Sequence, residues 1–244
     1  MNRLLAKLWQ NFSSCLHARG DEPFVADDPP GRPNRTNRVI DAIARRYELD
    51  PEKASLIFIR SYYLNSMGVS GVGDSNIYDD ACYLISPAMR ESYNANTEAS
   101  FPKKKDKNGR YPAVMKLGKY KYAKGMHNKS KPGRQFRALC PHPVWMSLPC
   151  TRNGVTSTCS HTNIHKGGSN AGAFDRVWSL GCFTIPNIQW EDFTERVYSN
   201  MTKYKQKTID VMIVENVMRD GEQVVVDHEG RKIVVGKEPD QPFV

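Results

Sequence analysis

No run of about eighteen apolar residues occurs in the 244-residue chain, so no segment reads as a membrane-spanning helix. No Cys-x-x-Cys pair occurs among the six cysteines, at positions 15, 82, 140, 150, 159 and 182, which argues against a zinc ribbon or a dithiol redox motif. Lys7 and Gln10 interrupt the apolar start and no small-residue cleavage site follows it. A secretory signal is therefore not expected, and the cysteines are expected as thiols in a reducing cytosol. There is no internal repeat and no recognised nucleic-acid-binding motif.

What is present is a folded, rather polar composition, with 39% apolar and 25% charged residues. The length suffices for a buried core. The net charge of +9 is uneven. Residues 103–137 carry thirteen Lys or Arg against one acid, Asp106, and so hold +12, leaving −3 for the rest of the chain. Such a segment attracts polyanions: nucleic acid, an anionic membrane surface or an anionic cell-wall polymer.

Three stretches differ in pattern. Residues 1–36 hold an apolar stripe at helical spacing (Leu4, Leu5, Leu8, Trp9, Phe12) and then a Pro-rich linker. The stripe reads as a helix docked on the domain body, or as an anchor for a virion protein, another protein partner or a membrane surface. Residues 37–220 form a β-rich domain, and residues 221–244 a C-terminal hairpin or tail. Thr36 or Asn37 is expected to cap a helix with Val39, Ile40, Ile43, Ala44 and Tyr47 on its apolar positions. Strands are expected over 56–64, 77–86, 113–122, 136–140, 144–148, 156–165 and 209–217, with 224–226 and 233–235 flanking a hairpin turn. Trp190, Phe193, Val197, Met201 and Tyr204 share one helical face, with Asn187 as cap and Glu191 and Asp192 in the first turn.

The stretch His161 to Trp190 is the most informative. His165 ends a β-like run and precedes two glycines; Cys182 follows Gly181, whose missing side chain lets backbone approach a ligand. A thiol needs a base to become a nucleophile near neutral pH, and a histidine on a returning strand supplies one. The backbone N–H groups of Gly181 and Cys182 are candidate oxyanion donors, each typically worth ~3 kcal/mol of barrier. A buried structural thiol and a turn histidine are the plainer readings of Cys182 and His165 taken singly; their pairing favours a reactive site.

His161 is expected to share a strand face with His165. With Cys159, Cys140 or His142 it fits no standard zinc spacing, so neither metal nor cofactor is expected. His127 reads equally as a groove-lining residue or a loop histidine. Asp79 and Asp80 point to opposite strand faces, a poor acid–base couple. Asn94 and Asn96 read as a turn. Tyr120 and Tyr122 read as a core row before they read as a stacking platform for bases or sugars.

The segments Ile164-His165-Lys166-Gly167 and Ser179-Leu180-Gly181-Cys182 resemble the signature of L,D-transpeptidase catalytic domains, cysteine enzymes of bacterial peptidoglycan. The stretches Tyr78-Asp79-Asp80, Tyr93-Asn94-Ala95-Asn96-Thr97 and Thr184-Ile185-Pro186 extend the likeness over residues 55–195, toward a branch often met in bacteriophages. The resemblance implies a β-rich α+β fold, an L,D-transpeptidase-like β-sandwich with a few flanking helices. It also implies Cys182 as nucleophile, His165 as its base and Gly181 as an oxyanion donor. Ser179, Thr184, Arg176, His127 and Arg134 are the candidate substrate-binding residues. The family usually has Arg or Asn where this chain has Thr184, and often His where it has Leu180. Arg176, Arg134 or Arg137 would then have to hold a substrate carboxylate.

The implied chemistry is acyl transfer on stem peptides. The thiolate attacks the carbonyl of the third residue, the terminal D-residue leaves, and the acyl group passes to water or to an amine. Water makes the chain a hydrolase, as a lytic role would favour; an amine makes it a transferase. The basic segment would dock on anionic wall polymer. A chain made in the cytoplasm without a signal peptide would act at the wall after other delivery, or be carried in a virion. Two alternatives remain: a catalytically inactive structural or virion protein on the same fold, and a nucleic-acid-binding protein using residues 103–137.

Overall fold

The computed structural model describes residues 24–34, 38–100, 105–106, 109–144, 146–168, 177 and 179–233. The N-terminal apolar stripe and Arg176 lie outside the described residues, as does 234–235 of the expected final strand. Strand outweighs helix, 39% against 14%, so the chain is β-rich.

In chain order the elements are α1 (Arg38–Arg46), β1 (Ser55–Arg60), β2 (Asp80–Ser86), β3 (Met89–Ala95), β4 (Val114–Met115), β5 (Gly118–His127), β6 (Phe136–Pro141), β7 (Leu148–Arg152), β8 (Val155–Cys159), β9 (Ile164–Lys166), β10 (Phe183–Ile185), α2 (Asn187–Lys203), β11 (Ile209–Arg219) and β12 (Glu222–Val226). The long sheet runs β10-β9-β6-β5-β11-β1-β2-β3, with β12 paired to β11 beside that path; β4, β7 and β8 form a short sheet. The pairs β1–β11 and β9–β10 are parallel and the other pairs antiparallel. Asn96, just past β3, bridges to Thr184 in β10 through two backbone bonds of 2.9 and 2.8 Å, so the long sheet almost closes on itself. β12 belongs to this sheet, although its sequence reads as a separate tail.

Alternation along the strands sorts the apolar side chains into two cores. Leu56 and Phe58 of β1, Cys82 and Leu84 of β2, and Val211 and Ile213 of β11 enter one core, which they share with the short sheet and with Trp190, Phe193, Val197 and Met201 of α2. The alternate residues Ile57, Ile59, Ala81, Tyr83, Met212 and Val214 enter the other, covered by Ile40, Ala42 and Ile43 of α1. Burial on both faces is why β1 and β11 read as unbroken apolar runs rather than as alternation.

Several sequence expectations shift. The run 113–122 is cut before Gly118, whose φ of +147° turns the chain from the short sheet into the long one. The run 156–165 is cut at His161, which takes a φ of +61°, so β8 and β9 lie in different sheets and His161 shares no strand face with His165. Among the described residues no strand forms over 144–147; Pro141 and Pro143 supply no backbone donor, and the next strand begins at Leu148, the last residue of the expected run. Asn94 lies within β3, a polar strand that its low β propensity hides; Asn96 does turn back on the backbone, its side-chain oxygen accepting the Glu98 N–H at 3.0 Å, and its own backbone also makes the closing bridge. α2 starts at Asn187 with Pro186 at its cap and no acid in its first turn. Glu191 and Asp192 instead pair with Arg137 and Arg196.

Residues 24–34, linker-like in sequence, are docked. The Gly31 carbonyl accepts from the Tyr63 hydroxyl and the Asn94 amide, and the Pro33 carbonyl from the Ser92 hydroxyl.

Candidate functional site

The parallel register of β9 and β10 sets Ile164 beside Phe183 and His165 beside Thr184. Cys182 immediately precedes β10, so this pairing carries its sulfur to the His165 ring. His127, at the end of β5, arrives from a third strand. One donor atom each from His127, His165 and Cys182 lies within 4.8 Å of the others. The His127 and His165 ring centroids are 4.1 Å apart. His165 is buried, with 6% of its surface exposed, whereas Cys182 is partly accessible.

Two glycines make this approach possible. Gly181 has a φ of +133°, and a side chain there would meet the Ala113 carbonyl oxygen at 2.6 Å. A side chain at Gly167 would meet the hydroxyl of buried Tyr78 at 1.8 Å.

Hydrogen bonds set the protonation pattern. His165 Nδ1 lies 2.5 Å from the Lys166 carbonyl oxygen. A carbonyl only accepts, so Nδ1 carries the hydrogen and Nε2 is left as the basic nitrogen. Burial, then the neighbouring His127, pushes the His165 pKa down to about 3, against a small upward pull from the Lys166 carbonyl. Burial also lowers the His127 pKa, with Lys131 adding to the shift, and its Nδ1 lies 3.2 Å from the Asn163 side-chain nitrogen. The Cys182 thiol donates to the His161 carbonyl at 3.4 Å, and burial pushes its pKa up to about 11 despite the Asn163 backbone. At neutral pH the resting site is thus a neutral thiol beside neutral imidazoles.

The remaining candidates separate into braces and bystanders. The Ser179 hydroxyl donates to the Cys182 carbonyl at 2.6 Å and accepts the Gly181 N–H at 3.0 Å; the Ser179 N–H is held by the Ser100 hydroxyl at 2.7 Å. Ser179 therefore shapes the turn before the sulfur. Gly181 has its N–H committed to Ser179, which corrects its expected role as an oxyanion donor. The Cys182 N–H has no partner among the described residues. Thr184 is fully buried and its hydroxyl makes no hydrogen bond among the described residues, so it does not take over the carboxylate-binding duty of an Arg. Arg134 is exposed in the β5–β6 turn.

Phe136 and Asn163 were not legible as site residues. Phe136 pairs with His127 across the β5–β6 ladder; its ring centroid lies 5.1 Å from that of His127, and the Lys166 ammonium lies 4.9 Å from it. The hairpin signal around Lys131-Pro132-Gly133 could have placed Phe136 opposite His127. Asn163, two residues before His165, carried no signal of its own.

In the basic segment, Tyr120 and Tyr122 of β5 point into the core, while Lys119 and Lys121 face out and pair with Asp210 at 3.2 and 2.8 Å. That strand offers no aromatic platform for bases. No described helix is long and apolar enough to cross a membrane.

No family model matches the chain, and the searches of curated proteins and of solved structures return no match either.

Proposed function

We propose that the chain is a peptidoglycan-active cysteine acyl transferase or hydrolase on an L,D-transpeptidase-like fold. The observation that carries this reading is the meeting of Cys182 with a histidine whose Nδ1–H is tied to the Lys166 carbonyl, which leaves Nε2 free to take a proton. The partial exposure of the Cys182 residue and the glycine that precedes it support the same reading.

The thiol proton passes to Nε2 of His165 as sulfur bonds to the carbonyl carbon of the stem peptide. The Cys182 N–H is the available backbone donor for the oxyanion. The carbon–nitrogen bond to the terminal D-residue breaks, and the leaving amine takes the proton from His165. Water or an acceptor amine then gives a proton to His165 as it attacks the thioester, and the thiol is restored. Lys166, in β9 itself, and Arg134, in the β5–β6 turn, are the candidates for the substrate carboxylate. In this reading the chain works at the cell wall or is carried in a virion.

The test is mass spectrometry of purified muropeptides after incubation with wild type and Cys182→Ala. Loss of terminal D-alanine, opened cross-links or an acyl adduct on Cys182 is expected from wild type alone. Absence of all three would replace the enzyme by an inactive structural protein, the reading that buried Thr184 favours, and equal product from the variant would remove Cys182 as the nucleophile.

A further inference from the structure

His127 has no task in that acyl-transfer scheme. Its ring stacks against His165, with planes 34° apart, rather than standing in a hydrogen-bonded chain behind it, so it cannot orient the base as the third member of a triad does. Both imidazoles instead bring a nitrogen to within 4.8 Å of the same sulfur. We infer that His127, His165 and Cys182 form a binding site for a borderline-soft divalent cation of the zinc class, and that its occupancy switches the nucleophile off. The second half of this inference rests on the acyl-transfer reading; the first half does not.

The donor chemistry fits. Two imidazole nitrogens and one thiolate are the ligand types that zinc selects, and three protein ligands leave a fourth tetrahedral position for water. Zinc–nitrogen and zinc–sulfur bond lengths place tetrahedral donors roughly 3.3–3.6 Å apart, so the cluster closes by about 1 Å to bind. The donors come from β5, β9 and the residue before β10, all of one sheet in which β9 pairs with β10 and β6 lies between β9 and β5. His165 already has the second contact that a metal-bound histidine uses, its Nδ1–H held by the Lys166 carbonyl; His127 Nδ1 instead accepts from the Asn163 amide nitrogen, and that amide must turn its oxygen toward the ring for His127 to bind the cation through Nε2. The cation displaces the thiol proton, which goes to solvent, and bonds to the resulting thiolate. Sulfur and His165 then share their reactive electron pairs with the metal, and neither is free for attack or proton transfer. Sequence spacing concealed this set because the donors are 38 and 17 residues apart along the chain.

The full chain, stripped with chelator, is titrated with Co²⁺ by absorbance and with Zn²⁺ by calorimetry. One equivalent is expected to bind, with a thiolate-to-cobalt charge-transfer band. Cys182→Ser should lose the band, and His127→Ala and His165→Ala should each weaken Zn²⁺ binding at least tenfold. Wild type alkylated at Cys182 provides the same comparison should a variant fail to fold. A missing band in wild type, a band that survives loss of the sulfur, or unchanged affinity in both histidine variants overturns the site. Muropeptide turnover by the stripped protein that stops at one equivalent of Zn²⁺ supports both halves. Turnover that ignores or requires Zn²⁺ overturns the inhibitory half. Cobalt binding by a protein with no turnover under any condition keeps the site and removes the acyl-transfer reading.

Discussion

The imidazole of His127 lies against that of His165, with ring centroids 4.1 Å apart. Together with burial, this neighbour holds His165 neutral, at a pKa of about 3. Replacing His127 by Ala removes a competing positive charge and opens the ring to water, and both changes favour protonation of His165. The His165 midpoint, followed by NMR of its ring protons against pH, is expected to rise by at least about one unit. An unchanged midpoint would show that the stacked ring does not govern its protonation.

The thiol of Cys182 sits at a pKa of about 11, against an ordinary 9.0. A two-unit rise leaves about a hundredfold less thiolate at neutral pH than an unperturbed cysteine has. Alkylation of Cys182 by iodoacetamide, read by peptide mass mapping, should be at least tenfold slower at pH 7 than that of a small free thiol. Its rate should climb with pH and show no plateau below about pH 10. A plateau with a midpoint below pH 8 would mean a preformed thiolate–imidazolium pair and would overturn the neutral resting state.

The legible part of this molecule follows local chemistry. The stripe of α2 and the runs of β1 and β11 could be read because each buries residues at a regular period. The pairing of His165 with Cys182 could be read because the parallel strands β9 and β10 lie close in sequence and carry a glycine-marked signature. His127 and Phe136 join the site only through the β5–β6 ladder, and β6 in turn meets β9 at Leu139 and Ile164. That is long-range register, which composition does not encode. β3 was hidden because Asn94 and Ser92 are buried by hydrogen bonds to the docked 31–33 segment and not by apolar packing. Ser179 and Thr184 stand near the sulfur in sequence, and the structure buries both, Ser179 in hydrogen bonds to its own turn and Thr184 in the strand that closes the sheet.

Gly181 is tested by the smallest possible addition. Its φ of +133° is strained for any L side chain, and the Ala113 carbonyl stands 2.6 Å from where a Cβ would be. Gly181→Ala should lower stability by roughly 1–3 kcal/mol, read as a fall in the urea midpoint. Backbone displacement should also break the Ser179 clamp and move the sulfur, so muropeptide turnover should drop at least tenfold even where the variant is fully folded. A variant with wild-type stability and turnover would remove the close approach as a feature of the site.

Glu98 gives a prediction away from the sulfur. Burial raises its pKa to about 7 from an ordinary 4.5; Arg60 opposes the shift, and Asp80, Glu215 and Asp74 add to it. Because the folded pKa lies above the unfolded one, the contribution of Glu98 is fully present below about pH 4.5 and is lost as pH rises through about 7. The loss is on the order of 3 kcal/mol, from the size of the shift. His165 runs the opposite way: its folded pKa is depressed, so its contribution is present above the unfolded value and lost as pH falls. The raw stability curve therefore mixes the two, and the informative quantity is the difference between wild type and Glu98→Gln. Urea unfolding at pH 5 and pH 8 should show the variant gaining on wild type by about 2–3 kcal/mol between those values. A pH-independent difference would mean that Glu98 ionises normally in the fold, and that Arg60 and solvent offset its burial in full.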